Sequence, residues 1–221
     1  MQQTTPASSN SAAAAAAKRG FDVALCLLAL PLALPLALLI AAWVKLDSRG
    51  PALFGQERVG RGGALFYIHK FRTMRVHDGA GAQITAAGDA RITRAGRWLR
   101  ASKLDELPQI WDVLRGKMSW VGPRPEVPRY MALYPPEARS AILSVRPGLT
   151  DTAAIVFRHE EQLLAQSADP EATYVQTILP VKQRHYLDYV ARHSVAGDVR
   201  ILWQTARAVL LWRQRPGADQ R

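Results

Sequence analysis

The sequence predicts an α/β, helix-rich fold in which an N-terminal segment attaches a cytoplasmic domain to a membrane. Three patterns support this prediction. Residues 21–44 are the longest apolar run in the chain and are long enough to enter a bilayer. Residues 51–74 combine short apolar runs with glycines, as a small β-hairpin does. The later segments are mostly helical in pattern, and the last one has the tryptophans and arginines of an interfacial amphipathic helix.

Net charge narrows the classes of partner. The 221-residue chain carries 29 Lys and Arg against 18 Asp and Glu, a formal charge of +11. A balance this basic indicates nucleic acid, a membrane surface or a phosphorylated substrate. A nucleic-acid-binding module would leave the apolar run unexplained, and no DNA-reading motif is recognisable, so we predict no nucleic-acid partner. The single cysteine, Cys26, excludes a disulfide framework, and no Cys/His spacing resembles a zinc site.

The chain divides into four predicted parts. The first is small, polar and alanine-rich, which predicts a disordered tail or a loosely helical leader. The second is the membrane helix, the third the cytoplasmic domain and the fourth a short tail. Their boundaries are residues 1–17, 18–46, 47–215 and 216–221.

The apolar run allows more than one membrane arrangement. It is long for a signal peptide and no small-residue cleavage site follows it, so we expect it to be retained. Pro31 and Pro35 each remove a hydrogen bond from a helix, which predicts a kink. Basic residues flank both ends, and the positive-inside rule therefore places both ends in the cytoplasm. The residues alone leave re-entry by one face and a kinked span as alternatives, because true spans tolerate proline.

The central segments read as a hairpin followed by a loop. Turn glycines at Gly60, Gly62 and Gly63 separate the two short strands predicted within residues 51–74. Residues 77–91 are polar and rich in glycine and alanine, which favours a loop.

Four helices are predicted after this loop. Residues 92–104 place arginine and lysine at helical spacing, and the helix at 108–115 ends at Gly116, a favourable residue after a helix C-terminus. A third helix begins near Pro136, and residues 197–215 form the amphipathic one.

Asp105 and Glu106 are the candidate reactive carboxylates. Adjacent residues on a helix point about 100° apart, so the two acids are unsuited to act from opposite sides of one bond. They suit one nucleophile and one metal ligand or orienting group. The alternative is that they cap the helix that begins near Pro108.

Three nearby cations suit a phosphorylated substrate. Arg124 lies between Pro123 and Pro125, which fix the backbone around it, and an ordered guanidinium can bind phosphate through two hydrogen bonds. Lys70 and Arg72 alternate along a predicted strand, so both should lie on one face of it. Each pattern also occurs in proteins without a phosphate site.

Taken together, these segments resemble a known family. The blocks KRGFD, DSRGP, GQERVG, KFRTM, LDELPQ, LRGKMSWVGPRP and VRPGLT occur in this order, with the proline-broken apolar run after the first. The chain resembles the small monotopic phosphoglycosyl transferases of the bacterial sugar transferase family. The resemblance extends from about Lys18 to Thr150, and more loosely to the C-terminus.

The resemblance implies an activity and a site. Such enzymes transfer a sugar 1-phosphate from a UDP-sugar to polyprenyl (undecaprenyl) phosphate, release UMP and require Mg²⁺. The implied nucleophile is Asp105, which would form a covalent phosphosugar intermediate, and Glu106 would belong to the metal site. The cationic positions of the family fall on Lys70, Arg72, Arg100 and Arg124.

The resemblance also implies a location. The proline of a re-entrant membrane helix falls on Pro35, with Pro31 as an additional one, and the enzyme would lie on the cytoplasmic face of the bacterial inner membrane, in contact with its lipid. A homodimer is compatible with this arrangement. The glycan begun by this transfer would be an exopolysaccharide, O-antigen, capsule or glycoprotein glycan.

Two departures from the family pattern bear on these expectations. The helix break reads Leu34-Pro35 rather than Ser-Pro, and the segment after VRPGLT reads Asp151-Thr152-Ala153-Ala154 rather than Gly-Trp-Ala-Gln. The second departure puts the sugar specificity in question. A membrane-tethered scaffold without catalysis is the rival reading, and the presence of both acids and Arg124 argues against it.

Overall fold

A computed structural model of the chain describes residues 7–75 and 89–212, which form a helix-rich domain packed along one long N-terminal helix. This helix, α1 (Ala7–Asp47), is continuous through Pro31 and Pro35. It includes residues 7–17, for which the sequence predicted a disordered tail or a loosely helical leader, whereas residues 1–6 lie outside the described part. Among the described residues it is the one helix whose length and composition would allow it to cross a membrane.

One face of α1 packs on the domain along the whole apolar run. Cys26, Ala33, Ile40 and Val44 are buried and recur at helical spacing, and they contact core residues of the domain. The opposite face is covered with leucines that are each more than half exposed. They are Leu27, Leu28, Leu32, Leu34, Leu38, Leu39 and Leu46.

Both ends of α1 are bonded to the same domain. Near the start, Arg19 donates hydrogen bonds to two backbone carbonyls at the end of a domain helix, at 2.6 and 2.7 Å. Asp22 is fully buried and accepts from Ser119 Oγ at 3.0 Å. At the other end, the Asp47 carboxylate accepts the backbone N–H of Ala95 at 3.0 Å.

The hairpin predicted from the turn glycines is confirmed. Strands β1 (Leu53–Val59) and β2 (Leu65–Phe71) pair antiparallel, and the 3₁₀ turn Arg61–Gly63 joins them. Gly62 and Gly63 adopt φ of 68° and 83°, in the left-handed region that favours glycine.

The helical segments around the acidic pair follow the sequence prediction closely. Helix α2 (Arg94–Ser102) begins after Thr93, whose side chain accepts from Gly96 N. A 3₁₀ turn, Leu104–Glu106, leads into α3 (Gln109–Leu114), and Gly116 follows with φ of 77°. Both acids therefore lie in the short connection between two helices.

The remainder of the described chain adds a second small sheet and seven helices. The two strands of this sheet are parallel, which the sequence analysis did not predict. Two of the helices, at Pro136–Leu143 and Val195–Trp212, correspond to those predicted from Pro136 and from residues 197–215. The tail at 216–221 lies outside the described residues. The elements are β3 (Ser119–Val121), α4 (Pro128–Met131), α5 (Pro136–Leu143), β4 (Gly148–Thr150), α6 (Thr152–Val156), α7 (Glu160–Ala165), α8 (Pro170–Thr173), a π-helical turn (Tyr174–Ile178), α9 (Leu179–Arg192) and α10 (Val195–Trp212).

Candidate active site

A cleft of about 1360 Å³ lies between α1, β2, α2 and the second half of the chain. All six sequence-predicted polar site residues line it. They are Lys70, Arg72, Arg100, Asp105, Glu106 and Arg124. The two predicted re-entry residues, Pro31 and Pro35, instead lie on the exposed side of α1.

Asp105 is a buried carboxylate that lines the cleft. Its side chain is 8% exposed, and Oδ1 has no hydrogen-bond partner among the described residues. Burial and the neighbouring charge of Glu106 raise the pKa of Asp105 above its ordinary value. Within the described structure no side chain caps the N-terminus of α3, so the capping alternative does not account for Asp105.

Glu106 lies between two cations. Lys70 Nζ donates to its Oε1 at 2.8 Å, and the guanidinium of Arg124 donates to both of its oxygens. Despite burial, the charges of Arg124 and Lys70 hold the pKa of Glu106 well below its usual range. Glu106 is therefore ionised at physiological pH and positions two cations in the cleft.

The Arg124 side chain is held by two hydrogen-bonding partners. Its side chain donates to Glu106 and, through Nη1, to the backbone carbonyl of Leu149 at 3.2 Å. The flanking Pro123 and Pro125 restrict the backbone, as the sequence predicted. The ion pair with Glu106 raises the pKa of Arg124, so its charge is fixed at any physiological pH.

Lys70 lies on strand β2, Arg72 is the first residue after its end at Phe71, and the two side chains have different partners. Lys70 reaches Glu106, whereas Arg72 donates to the carbonyls of Ser48 and Arg49 at 2.7 and 2.6 Å. These carbonyls belong to the two residues that follow α1, and a longer contact of 3.4 Å reaches the carbonyl of Val44 within α1. Arg72 thus ties α1 to the hairpin while its side chain also borders the cleft.

Arg100 extends from α2 toward the far side of the cleft. Its Nη2 donates to Glu161 Oε1 at 2.5 Å, and Nη1 lies 3.4 Å from Thr73 Oγ1. Its ion-pair partner is therefore the partly exposed Glu161 rather than Asp105 or Glu106, and its charge also opposes the rise in the pKa of Asp105 that burial causes. The structure brings Lys70 and Arg124 into direct contact with Glu106, the chain neighbour of Asp105, and places Arg72 and Arg100 at the border of the same cleft.

This geometry can be compared with known proteins. A family profile described as bacterial sugar transferase matches residues 13–212. The chain belongs to the bacterial sugar transferase family.

Three relatives illustrate the range of the family. The chain is 37% identical over 196 residues, 87% of its length, to the UDP-N-acetylgalactosamine-undecaprenyl-phosphate N-acetylgalactosaminephosphotransferase of Aeromonas hydrophila. It is 42% identical over 199 residues, 88% of its length, to the UDP-glucose:undecaprenyl-phosphate glucose-1-phosphate transferase of Xanthomonas campestris pv. campestris. It is 36% identical over 213 residues, 89% of its length, to the exopolysaccharide production protein ExoY of Rhizobium meliloti (strain 1021).

The alignments cover different shares of these relatives. The chain spans 43% and 39% of the lengths of the first two relatives. It spans 87% of the length of the third, which is therefore a relative of similar size.

The side chains of the cleft could hold Mg²⁺ only if a phosphorylated substrate supplied further oxygen ligands. Within residues 7–75 and 89–212, no group of three or more His, Cys, Asp or Glu side chains is arranged to hold a metal ion. The pair Asp105 and Glu106 nevertheless supplies carboxylate oxygens, one of them the unpartnered Asp105 Oδ1. Mg²⁺ in phosphoryl-transfer sites commonly takes one or two carboxylates and completes its coordination with substrate phosphate and water.

The sequence did not indicate several of the residues that line this cleft. Leu28, Leu32 and Leu36 of α1 form an apolar part of the wall, and Asp151 and Tyr186 form a polar part. The leucines were hidden in a uniform apolar run. For the polar part of the wall, the departure from the family pattern at Asp151 was the one signal in the sequence. The residues around Tyr186 form no pattern that distinguishes it from a tyrosine of the core.

Proposed function

We propose that the protein transfers a sugar 1-phosphate from a UDP-sugar to polyprenyl phosphate and releases UMP. The observation that carries the proposal is the composition of the cleft. Its wall joins an unpartnered buried carboxylate, Asp105, and two fixed cations to the leucine face of α1. An acceptor with an anionic head and an isoprenoid tail can place its phosphate by Lys70 and Arg124 while its tail stays in lipid. The names of the relatives support the same reaction class.

In the first step, a carboxylate oxygen of Asp105 attacks the β-phosphorus of the donor. A bond forms between this oxygen and phosphorus, and the bond from phosphorus to the bridging diphosphate oxygen breaks. UMP leaves with the electron pair of that bond, and Asp105 carries the sugar phosphate. The raised pKa of Asp105 favours this role, because a more basic carboxylate is a better nucleophile once it is ionised.

In the second step, a phosphate oxygen of the acceptor attacks the same phosphorus atom. Its new bond forms the polyprenyl diphosphosugar, and the bond to Asp105 breaks, which restores the free carboxylate. Dividing the transfer into two displacements allows donor and acceptor to use one cleft in turn.

Fixed cations are needed because an anionic nucleophile is repelled by a diphosphate. Glu106 already holds Lys70 and Arg124 at the wall of the cleft, so their charges are in place to stabilise charge on the transferring group. As these cations bond to the donor phosphates, oxygens of Glu106 become free. Glu106 and the donor diphosphate would then hold Mg²⁺, which would neutralise further phosphate charge.

We further propose that α1 enters the bilayer and returns to the cytoplasmic face of the inner membrane. Both ends of the apolar segment are bonded to one domain, through Arg19 and Asp22 at the start and through Asp47 at the end. A segment that crossed the membrane would carry its two ends to opposite sides. The exposed leucine face supplies the surface that lipid would cover.

The covalent step gives the direct test. Purified protein mixed with Mg²⁺ and UDP-glucose, UDP-galactose or UDP-N-acetylgalactosamine, without acceptor, should release one UMP per enzyme with at least one donor. Mass spectrometry should find one sugar phosphate on the peptide that contains Asp105. Asp105→Asn should release no UMP because its amide cannot form the phosphoryl ester.

Asp47→Asn is the matched control, since it makes the same change at an acid outside the cleft. It should retain the release of UMP and the adduct. Acceptor-dependent turnover without an adduct would replace the two-step mechanism by direct attack of the acceptor. An adduct on Glu106 would reverse the roles of the two acids.

A further inference from the structure

Asp151 borders the cleft with an unused oxygen. It follows strand β4 and caps helix α6, since its Oδ1 accepts the backbone N–H of Ala154 at 2.8 Å. The side chain is 2% exposed, and Oδ2 has no hydrogen-bond partner among the described residues. A buried carboxylate oxygen without a partner is costly in a folded protein, so such an atom calls for an explanation.

Tyr186 borders the same cleft with an unused hydroxyl group. It lies on α9, is 1% exposed, and its hydroxyl group also lacks a partner in the described part of the chain. Burial and the carboxylate of Asp151 raise the pKa of Tyr186 well above its ordinary value. The hydroxyl group therefore keeps its proton and remains a hydrogen-bond donor.

Helices α6 and α9 hold these two groups on one wall. Thr152 Oγ1 and His185 Nδ1 are 3.1 Å apart, and they are the chain neighbours of Asp151 and Tyr186. Asp151 and Tyr186 line the same cleft as Arg124, the cation assigned to the donor diphosphate. Burial raises the pKa of Asp151, and the backbone N–H of Ala154 and the charge of Arg124 oppose this rise.

We propose that Asp151 Oδ2 and the Tyr186 hydroxyl group together bind one hydroxyl group of the donor. This subsite rests on the proposed function and identifies two residues by which the same cleft would recognise its donor. A hydroxyl group can donate to the carboxylate and accept from the phenol at once, which would satisfy both unused atoms. Its source is either the transferred sugar or the ribose of the uridine, since each is joined to the diphosphate that Arg124 would hold.

The test uses donors that each lack one hydroxyl group. The starting donor is the best substrate among UDP-glucose, UDP-galactose and UDP-N-acetylgalactosamine. Its analogues are deoxygenated singly on the sugar, or at the 2′ or 3′ position of the ribose. The dissociation constant of each is measured by calorimetry without Mg²⁺, so that the donor binds but no adduct forms, and kcat/KM is measured by UMP release with Mg²⁺ and polyprenyl phosphate.

One analogue should bind the wild-type protein about tenfold more weakly than the full donor, as expected for one lost hydrogen bond to a buried group. Tyr186→Phe should bind the full donor more weakly by a similar factor and should no longer discriminate against that analogue. Asp151→Asn should behave in the same way, because it retains the Oδ1 that caps α6 and replaces only the unused oxygen. The position of the decisive analogue identifies the sugar or the ribose as the source.

Tyr134→Phe is the matched control. Tyr134 is also buried and its hydroxyl group also lacks a partner among the described residues, but it does not border the cleft. This variant should keep the wild-type preference for every analogue. Thermal unfolding of each variant checks that its loss of discrimination is not a loss of folded protein.

The outcomes separate this inference from the function on which it rests. If both cleft variants discriminate among all analogues as the wild type does, the subsite is overturned and the activity stands. If the wild type binds UDP-sugars without releasing UMP, the activity is overturned, and the binding constants still test the subsite. If it binds no UDP-sugar, both proposals are overturned.

Discussion

Arg124 binds Glu106 through both terminal nitrogens of its guanidinium, a contact that requires a planar fork. Lysine would keep the charge but would offer a single point of contact. We therefore expect Arg124→Lys to lower kcat/KM for UMP release by about ten- to a hundredfold, equivalent to ~1.4–2.7 kcal/mol of transition-state stabilisation. Arg94→Lys, an exposed position outside the cleft, should have wild-type kinetics. Unchanged kinetics in Arg124→Lys would make Arg124 a structural residue only.

Arg72 is expected to affect stability more than activity, because its hydrogen bonds go to backbone carbonyls around the end of α1. Arg72→Lys should lose most of these bonds and destabilise the protein by ~1–3 kcal/mol. In detergent, its thermal unfolding midpoint should fall by several degrees, while the folded fraction keeps most of its specific activity. A large loss of activity at constant stability would instead assign Arg72 to substrate binding, as the family resemblance implies.

Helix α2 depends on a close approach to the end of the hairpin. A Cβ atom at Gly96 would lie 2.0 Å from the carbonyl oxygen of Thr73, a distance at which backbone must move. Gly96→Ala should therefore displace α2, and with it Arg100, and cost ~1–3 kcal/mol in the free energy of unfolding. Thermal unfolding and UMP release should both decline.

Gly20→Ala is the control for that substitution. Gly20 also lies inside a helix, and nothing lies within 4 Å of the position a Cβ would take. Alanine there should be neutral or stabilise the helix by up to ~1 kcal/mol. Equal effects of the two substitutions would mean that the contact between α2 and Thr73 is unimportant.

Local signals explain which elements could be predicted from the sequence. The turn glycines located the hairpin, and Gly116 and Pro136 located helix ends, because each acts on its own backbone. The parallel pair β3 and β4 has strands of three residues, too short for any periodic pattern. Its two strands are brought together by the chain between them, which no local pattern encodes.

Contacts distant in sequence explain what could not be predicted at the site. The family resemblance assigned Lys70, Arg72, Arg100 and Arg124 to one group of cations. Their partners separate them: Lys70 and Arg124 bond to Glu106, Arg100 bonds to Glu161, and Arg72 bonds to the end of α1. These pairs depend on the tertiary packing of separate elements, whereas the resemblance compares blocks of sequence and gave the four cations equal roles.

The molecule as a whole joins a basic domain to an apolar surface. Its net charge of +11 favours an anionic membrane, and the exposed leucines of α1 favour the hydrocarbon beneath it. Three exposed tryptophans lie on different helices. Trp43 of α1 packs against Trp98 of α2, with 5.5 Å between their ring centroids, and Trp203 lies on α10. Tryptophan prefers the boundary between lipid and water, so these positions support the interfacial helices expected from the sequence.

The topology of α1 can be tested by thiol labelling in intact cells. The bonds of Arg19 and Asp47 to one domain place both ends of the apolar segment on the same side of a membrane, which is the cytoplasmic side in the topology proposed above. Cysteines at the exposed positions Ala13 and Arg49, in a background in which the buried Cys26 is alanine, should therefore resist a membrane-impermeant maleimide. Both should label after lysis, which controls for their accessibility. Labelling of Ala13→Cys in intact cells, with Arg49→Cys protected, would show that α1 spans the membrane and that its contacts with the domain do not persist in the bilayer.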